Sequence, residues 1–431
     1  MNKNATLSKT SLPGPDDIIR QELENGIILL VRPNFNTLSV SATGYLMAGS
    51  LYEPQEKMGL ADFVSSCLMR GTADRSFQEI YHELESIGAS LSFSGGTHTA
   101  GFAGKSLGDD FETLIRTIAE TLRQPSFPED QVERVRSQLL TALDMRAQNT
   151  SDMASITFDE IIYPDHPYQY PEDGYPETLS RVQRQDLVDF HNQHYGPQEM
   201  VIAVAGAIEP DTVIQTTGEY LGDWTNPNQP PVATVPPAPR LDESVRQHFT
   251  IPEKSQTDIV LGAAGPSRRS QDFYPAKVGN SVLGQFGMMG RIGESVRNKA
   301  GLAYYAYSSV SSSIGPGPWS VSAGVDPDNT EEAIQLILDE LERFTSQPIS
   351  QEEFSDSQSR YIGKLPLALE SNAGVAGALL NIERYELGLD YFHKYEDMIR
   401  DITPQDALQV ARKYLDPQHV GIATAGPSHE N

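Results

Sequence analysis

Residues 185–206, QDLVDFHNQHYGPQEMVIAVAG, return as residues 405–426, QDALQVARKYLDPQHVGIATAG. The offset is a constant 220 residues without a gap, and eight of the 22 positions are identical. Each copy reads as a helix, a turn at proline (Pro197, Pro417), and a β-rich segment (200–205, 420–425) that stops at glycine (Gly206, Gly426). A second echo lies upstream. Residues 111–123 carry Leu114, Ile115, Ile118 and Leu122 at helical spacing, and residues 331–344 carry Ile334, Ile337, Leu338 and Leu341. Both are followed by a proline-bearing turn and another helix, entered at Pro128, Glu129 and Asp130 or at Ser350, Gln351, Glu352 and Glu353. Ser350 with Glu353 is a capping-box pattern. The chain is therefore written twice.

The prolines mark where the copies meet. Residues 226–242 contain Pro227, Pro230, Pro231, Pro236, Pro237 and Pro239, a density that keeps a chain extended and semi-rigid. This divides the sequence into an N-terminal lobe (1–225), a linker (226–242) and a C-terminal lobe (243–431). Within the first lobe, 27–31 and 38–48 read as strands, and 59–70 and 77–87 as helices. A hairpin spans 90–94 and 97–105 about Gly95 and Gly96. Strands joined by hairpins and interleaved with helices predict an α+β fold: two tandem homologous lobes, each a mainly antiparallel sheet packed with helices.

Composition narrows the function. Of the 431 residues 38% are hydrophobic, and no run is long and apolar enough to span a membrane. Residues 1–17 lack the apolar stretch of a secretory signal, and Cys67 is the single cysteine, so no intramolecular disulfide is available. Both features predict a cytoplasmic or other reducing compartment. A net charge of −27 argues against nucleic acid as a partner, since a phosphate footprint requires a basic stripe. It is compatible with plain solubility or with attraction of basic peptides.

One stretch carries a resemblance. Gly49, Ser50, Leu51, Tyr52 and Glu53, followed by residues 59–72 (GLADFVSSCLMRGT), resemble the landmark G-S-x-x-E … G-x-A-H-x-x-E-H-x-x-F-K-G-T of the pitrilysin and mitochondrial-processing-peptidase family of inverted zincins. The likeness continues at Tyr163, Pro164, Asp165, His166, Pro167 and Tyr168, at Gly174, at 195–206 and at 283–304. The duplicated α+β pattern agrees with that family's fold. An inverted zincin needs two histidines and a glutamate base on one helical face. Here the matching positions are Asp62, Ser65 and Ser66. The window for the third ligand, residues 138–143 (QLLTAL), has no acid. The resemblance thus implies a degenerate site, with no metal and no cofactor in this chain. His191 and His194, three apart on a predicted helix, lack further ligands at metal-site spacing and read as surface or structural residues.

The second lobe keeps what the first has lost. Gly284, Gly287 and Gly290 form a glycine-rich stretch whose spacing fits neither a P-loop nor a dinucleotide fingerprint. In the family such a loop leads into R-x-x-x-G-L-A-Y, whose arginine and tyrosine support the scissile carbonyl. Arg297 and Tyr304 match those positions, and the three glycines are the matching substrate-binding candidates. On their own residues, Arg297 reads as a helix-end cation and Tyr304 as strand material. The resemblance implies a subunit inactive alone, completing the peptide-binding chamber of a zinc-bearing H-x-x-E-H homologue in a heterodimeric metallopeptidase. Its Arg297 and Tyr304 would act in trans, and similar lobes would also favour self-association. Two other readings stay open: a catalytically dead scaffold resembling the core proteins of a respiratory complex, and an autonomous enzyme with a different site. The peptide would add a strand to the edge offered by residues 90–105.

Overall fold

The computed structural model describes residues 12–285, 290–311 and 313–428. Along the chain run β1 (Ile19–Glu22), β2 (Ile28–Pro33), β3 (Ser39–Leu46), α1 (Leu60–Cys67), α2 (Phe77–Ser86), β4 (Ser90–Ser94), β5 (Ala100–Leu107), α3 (Phe111–Arg123), α4 (Glu129–Ala147), α5 (Thr150–Ile162), α6 (Arg184–His194), β6 (Val201–Gly206) and α7 (Pro210–Leu221). The second copy follows with β7 (Val245–Thr250), β8 (Thr257–Ala264), α8 (Phe273–Gly284), a π-helical segment (Gly293–Lys299), β9 (Ala303–Val310), β10 (Pro318–Val325), α9 (Thr330–Ser346), α10 (Gln351–Ala368), α11 (Asn372–Arg384), α12 (Tyr391–Arg400), α13 (Pro404–Tyr414) and β11 (Gly421–Gly426).

Two sheets result, ordered β1-β2-β6-β3-β5-β4 and β7-β11-β8-β10-β9. Apart from the extra β1 they share one topology. Among the described residues only β2 with β6, and β7 with β11, pair in parallel, so both are the mainly antiparallel sheets expected.

The repeated residues have local physical reasons. Asp186 and Asp406 sit in the first turns of α6 and α13, where each accepts the backbone N–H three residues back, from Gln183 at 2.7 Å and Thr403 at 2.8 Å. Gly206 and Gly426 end central strands against the start of a neighbour. A Cβ on either would lie 2.3 Å from Ser39 O or 2.5 Å from Thr257 Oγ1. The repeated alanines, Ala203 and Ala205 with Ala423 and Ala425, are buried against a helix on the same face.

Which helix covers that face was not apparent beforehand. One compact unit comprises Met1–Leu143, Pro171–Thr234 and Leu365–Lys394; the other comprises Asp144–Tyr170, Val235–Lys364 and Tyr395–Asn431. In the first, α11 lays Val375, Ala376, Leu379 and Ile382 on Leu30, Tyr45, Val201 and Ala203. In the second, α5 lays Ala154, Phe158, Ile161 and Ile162 on Val260, Ala423 and Ala425. Each sheet therefore takes one covering helix from the other half of the sequence. The opposite face of the first sheet packs on α1 and α3, with Phe63, Val64, Leu114, Ile115 and Ile118 all fully buried. The proline-rich run is irregular but anchored: Ala233 N donates to Tyr52 Oη at 3.0 Å in the first unit, and Pro236 O lies 3.0 Å from His166 Nε2 in the second.

Two expected elements differ. The helix read over 59–70 is regular only for Leu60–Cys67, then tightens over Leu68–Arg70 before Gly71 at φ +144°. The strand read from 97 begins at Ala100, because the preceding turn is held elsewhere. Gly95 N–H is bonded by Asp62, and Thr97 N–H donates to Glu172 at 2.9 Å.

Candidate functional site

In the first unit, α1 starts where Gly59 takes φ +92° and the Glu53 carboxylate accepts Gly59 N–H and Ala61 N–H, both at 2.9 Å. Glu53 thus caps the open end of the helix that the landmark sequence builds. Burial pushes its carboxyl up to about 7, against the pull of these N–H donors.

Asp62, Ser65 and Ser66 lie along this helix. Ser65 is 2% exposed, and its hydroxyl donates to Ala61 O at 3.1 Å and sits 3.2 Å from the Tyr195 hydroxyl. Both of its hydrogen-bonding directions are turned into the protein. Asp62 packs under the β4–β5 turn, so that a Cβ on Gly95 would stand 2.6 Å from its Cα. Burial, then the nearby Asp173 and Glu172 charges, raise its carboxyl against the bond from Gly95 N–H. What α4 brings to α1 is a cation: the Arg136 guanidinium lies 5.2 Å from the Phe63 ring centroid and donates to Leu179 O at 3.0 Å. Among the described residues no group of three or more His, Cys, Asp or Glu is placed to hold a metal ion. A single aspartate and an internally bonded serine, with no acid among residues 138–143, do not fit zinc.

His191 and His194 are core residues. His191 Nε2 lies 2.8 Å from Leu122 O and its ring stacks on Tyr195 at 4.7 Å, while His194 packs against Phe190 and Tyr52. Burial drives both imidazoles down to about 4, which keeps them neutral. Cys67 is buried as well, and desolvation pushes its thiol up to about 12. In the second unit, the motif at 163–168 is a packing cluster: Tyr163 Oη donates to Pro316 O at 2.6 Å, and Tyr168 meets the Tyr163 and His166 rings edge-on.

The glycines and the Arg–Tyr pair also lie in the second unit. Gly284 closes α8 so tightly on β9 that a Cβ would come within 2.2 Å of Ser308 N. Gly290 takes φ +67°, and its Cβ would stand 2.7 Å from Gly284 N. These two glycines are therefore brought together; Gly287 lies outside the described residues. The π-helical segment that follows carries Arg297 near its end, and β9 carries Tyr304, 71% exposed. Among the described residues neither the guanidinium nor this phenol has a hydrogen-bond partner. Neighbouring Tyr305, by contrast, donates to the carboxylate of Asp258, which is 1% exposed. Sequence reading missed Glu53, Asp258 and Tyr305 as site-building groups. The only signal for the last was its place beside Tyr304.

β4 is the outer strand of the first sheet, its Ser90, Ser92 and Ser94 exposed and Leu91 turned inward, with one edge unpaired among the described residues. Such an edge can accept an extended peptide. Among the described residues no helix is long and apolar enough to cross a membrane.

Comparison with known proteins agrees with this arrangement. A family model described as insulinase (peptidase family M16) matches residues 32–171, and one described as peptidase M16 inactive domain matches residues 181–361. An uncharacterized zinc protease of Mycobacterium tuberculosis is 27% identical over 423 residues, covering 97% of this chain and 93% of the relative. The uncharacterized zinc protease YmxG of Bacillus subtilis is 25% identical over 355 residues, covering 82% and 85%. Among solved structures, a peptidase M16 inactive domain from Pseudomonas fluorescens superposes with a TM-score of 0.88 at 23% identity, over 95% of this chain and 98% of that one. A chain in complex III2 from Candida albicans does so at 0.78 and 16%, over 95% of each. At these identities the superpositions establish the fold alone.

Proposed function

The chain belongs to the M16 peptidase family, and on that premise we propose that it is a non-catalytic subunit that completes the peptide-binding chamber of a zinc-bearing relative. One contrast carries the reading. The helix at the family's metal position is sealed, with Ser65 bonded inward and Asp62 committed to the Gly95 turn, while among the described residues Arg297 and Tyr304, on the other unit, have no hydrogen-bond partner. A site kept only for packing would bond its arginine and bury its tyrosine. In this proposal the metal belongs to the partner. This chain supplies an open β4 edge for the peptide backbone and two donors, the Arg297 guanidinium and the Tyr304 hydroxyl, for the carbonyl oxygen that gains charge during hydrolysis. Its net charge of −27 favours basic peptides by long-range attraction.

The likeness to a chain of complex III2 supports a second reading, a scaffold in which the pair has no chemistry. Peptide turnover by the reconstituted pair separates the two. Tyr304→Phe removes one donor and keeps the ring, so turnover is expected to fall about 100- to 1,000-fold with assembly unchanged by gel filtration. Arg297→Lys is expected to lower turnover too, because a lysine lacks the planar fork of donors. Full turnover in both variants would remove the support for the catalytic partnership and leave the scaffold.

A further inference from the structure

Tyr304 owes its exposure to a feature of the second sheet that the first lacks. β8 and β10 pair from Thr257↔Val325 to Ala264↔Pro318, as β3 and β5 pair from Ser39↔Leu107 to Leu46↔Ala100. The repeated strands β6 and β11 set the match of rows: Ser41 pairs with Ala205 as Asp258 pairs with Ala425. On that match Gly324↔Tyr305 and Lys105↔Ser90 occupy the same row. β4 begins at that row. β9 instead runs one row further, to Ala303 opposite Val325, leaving Tyr304 between Ala303 and Tyr305 as the extra residue of a β-bulge. A bulge bends its strand and re-aims a side chain, and such irregularities gather beside active sites.

One row holds this bulge. Gly324 faces Asp258 on one side and Tyr305 on the other. With no side chain at 324, the Tyr305 ring lies across the gap and its hydroxyl donates to the Asp258 carboxylate. A Cβ on Gly324 would stand 2.6 Å from Tyr305 Cε1 and 3.1 Å from Asp258 Oδ1. The same carboxylate takes the hydroxyl of Thr150, at the head of α5, and the Gln256 amide at 3.0 and 3.1 Å. The corresponding row of the first sheet is Ser41 opposite Lys105. The fold therefore does not require a buried carboxylate here, and burying one is costly unless its oxygens are bonded.

We propose that Asp258, Gly324 and Tyr305 are positioning residues that clamp the bulge and so aim the Tyr304 hydroxyl. This rests on the oxyanion role given above to Tyr304. Tyr305→Phe deletes one hydroxyl and keeps the ring. In the reconstituted pair it is expected to lower kcat about 100-fold with KM nearly unchanged, the scale on which a displacement of about 1 Å acts. Acting through Tyr304, it adds nothing further: the double variant Tyr304→Phe/Tyr305→Phe is expected to be no slower than Tyr304→Phe. Losses that multiply would overturn the proposal. A second measurement needs no partner. With 3-fluorotyrosine incorporated at position 304, the fluorine resonance is expected to shift and broaden in Tyr305→Phe and in Gly324→Ala; an unchanged resonance overturns the clamp. A loss in Tyr304→Phe without one in Tyr305→Phe overturns the positioning role alone. Undiminished turnover in Tyr304→Phe removes the oxyanion reading and the positioning role together.

Discussion

Rebuilding the zinc motif on α1 by Asp62→His, Ser65→Glu and Ser66→His is expected to give a weaker protein that still holds no zinc. Ser65 is the costly step. It is 2% exposed and bonded to Ala61 O and the Tyr195 hydroxyl, and Tyr195 is itself 2% exposed. A glutamate there overfills the site by about 1–3 kcal/mol. Leaving the Tyr195 hydroxyl without its partner adds about 1–3 kcal/mol. Asp62→His also gives up the carboxylate that binds Gly95 N–H beneath the β4–β5 turn. Roughly 3–5 kcal/mol in all is a large part of a total stability of about 5–15 kcal/mol. It corresponds to a fall in Tm on the order of 10 °C. The restored residues would still lack a third protein ligand, because residues 138–143 offer no acid and Arg136 lies over Phe63. Calorimetry gives the stability, and metal analysis after dialysis gives the zinc content. Near-equimolar zinc on the triple variant, or an unshifted thermal transition, would refute this account of the helix.

Two further predictions concern stability. The Glu53 carboxyl titrates at about 7 when folded against 4.5 as its ordinary value, so the folded chain keeps a proton that the unfolded chain has lost. Its contribution is full below pH 4.5 and disappears as pH rises to about 7. Glu53→Gln should therefore gain on the parent by about 3 kcal/mol between these limits; urea unfolding at pH 5 and pH 8 reads the difference, and parallel profiles would contradict it. Gly290→Ala should cost well over the about 1 kcal/mol expected for Gly26→Ala. Both have positive φ, but a Cβ on Gly290 meets Gly284 N and Val282 O at 2.7 Å, whereas one on Gly26 meets open space. Equal losses in urea would show that φ alone decides.

Much of the fold is local and could be read along the chain. The repeat at 185–206 and 405–426 survives because its residues answer short-range demands, a capping aspartate, small residues under a helix and a glycine against a strand start. The missing ligands at Asp62, Ser65 and Ser66 are equally plain in sequence, since side-chain chemistry alone rules out a zinc shell there. Five of the six strands read along the chain lie within two residues of β2, β3, β4, β6 and β11.

Long-range contacts settled the rest. An apolar face on α5 or α11 shows that the helix must be covered, but periodicity carries no address for the sheet that covers it. Hence the exchange of helices between halves was invisible. The hairpin turn moved because Asp62 and Glu172 capture Gly95 and Thr97, partners 33 and 75 residues away in the chain. His191 and His194, three apart on one helix, became core residues once Leu122, Tyr195, Phe190 and Tyr52 closed around them. Composition and spacing thus determined the duplication and the absence of the zinc motif's histidines and glutamate from the landmark. Whether Tyr304 points into solvent or into the sheet depends on a one-residue register shift between β9 and β10, held by Asp258 from a third strand. Register is a property of paired strands, and only the assembled sheet decides it.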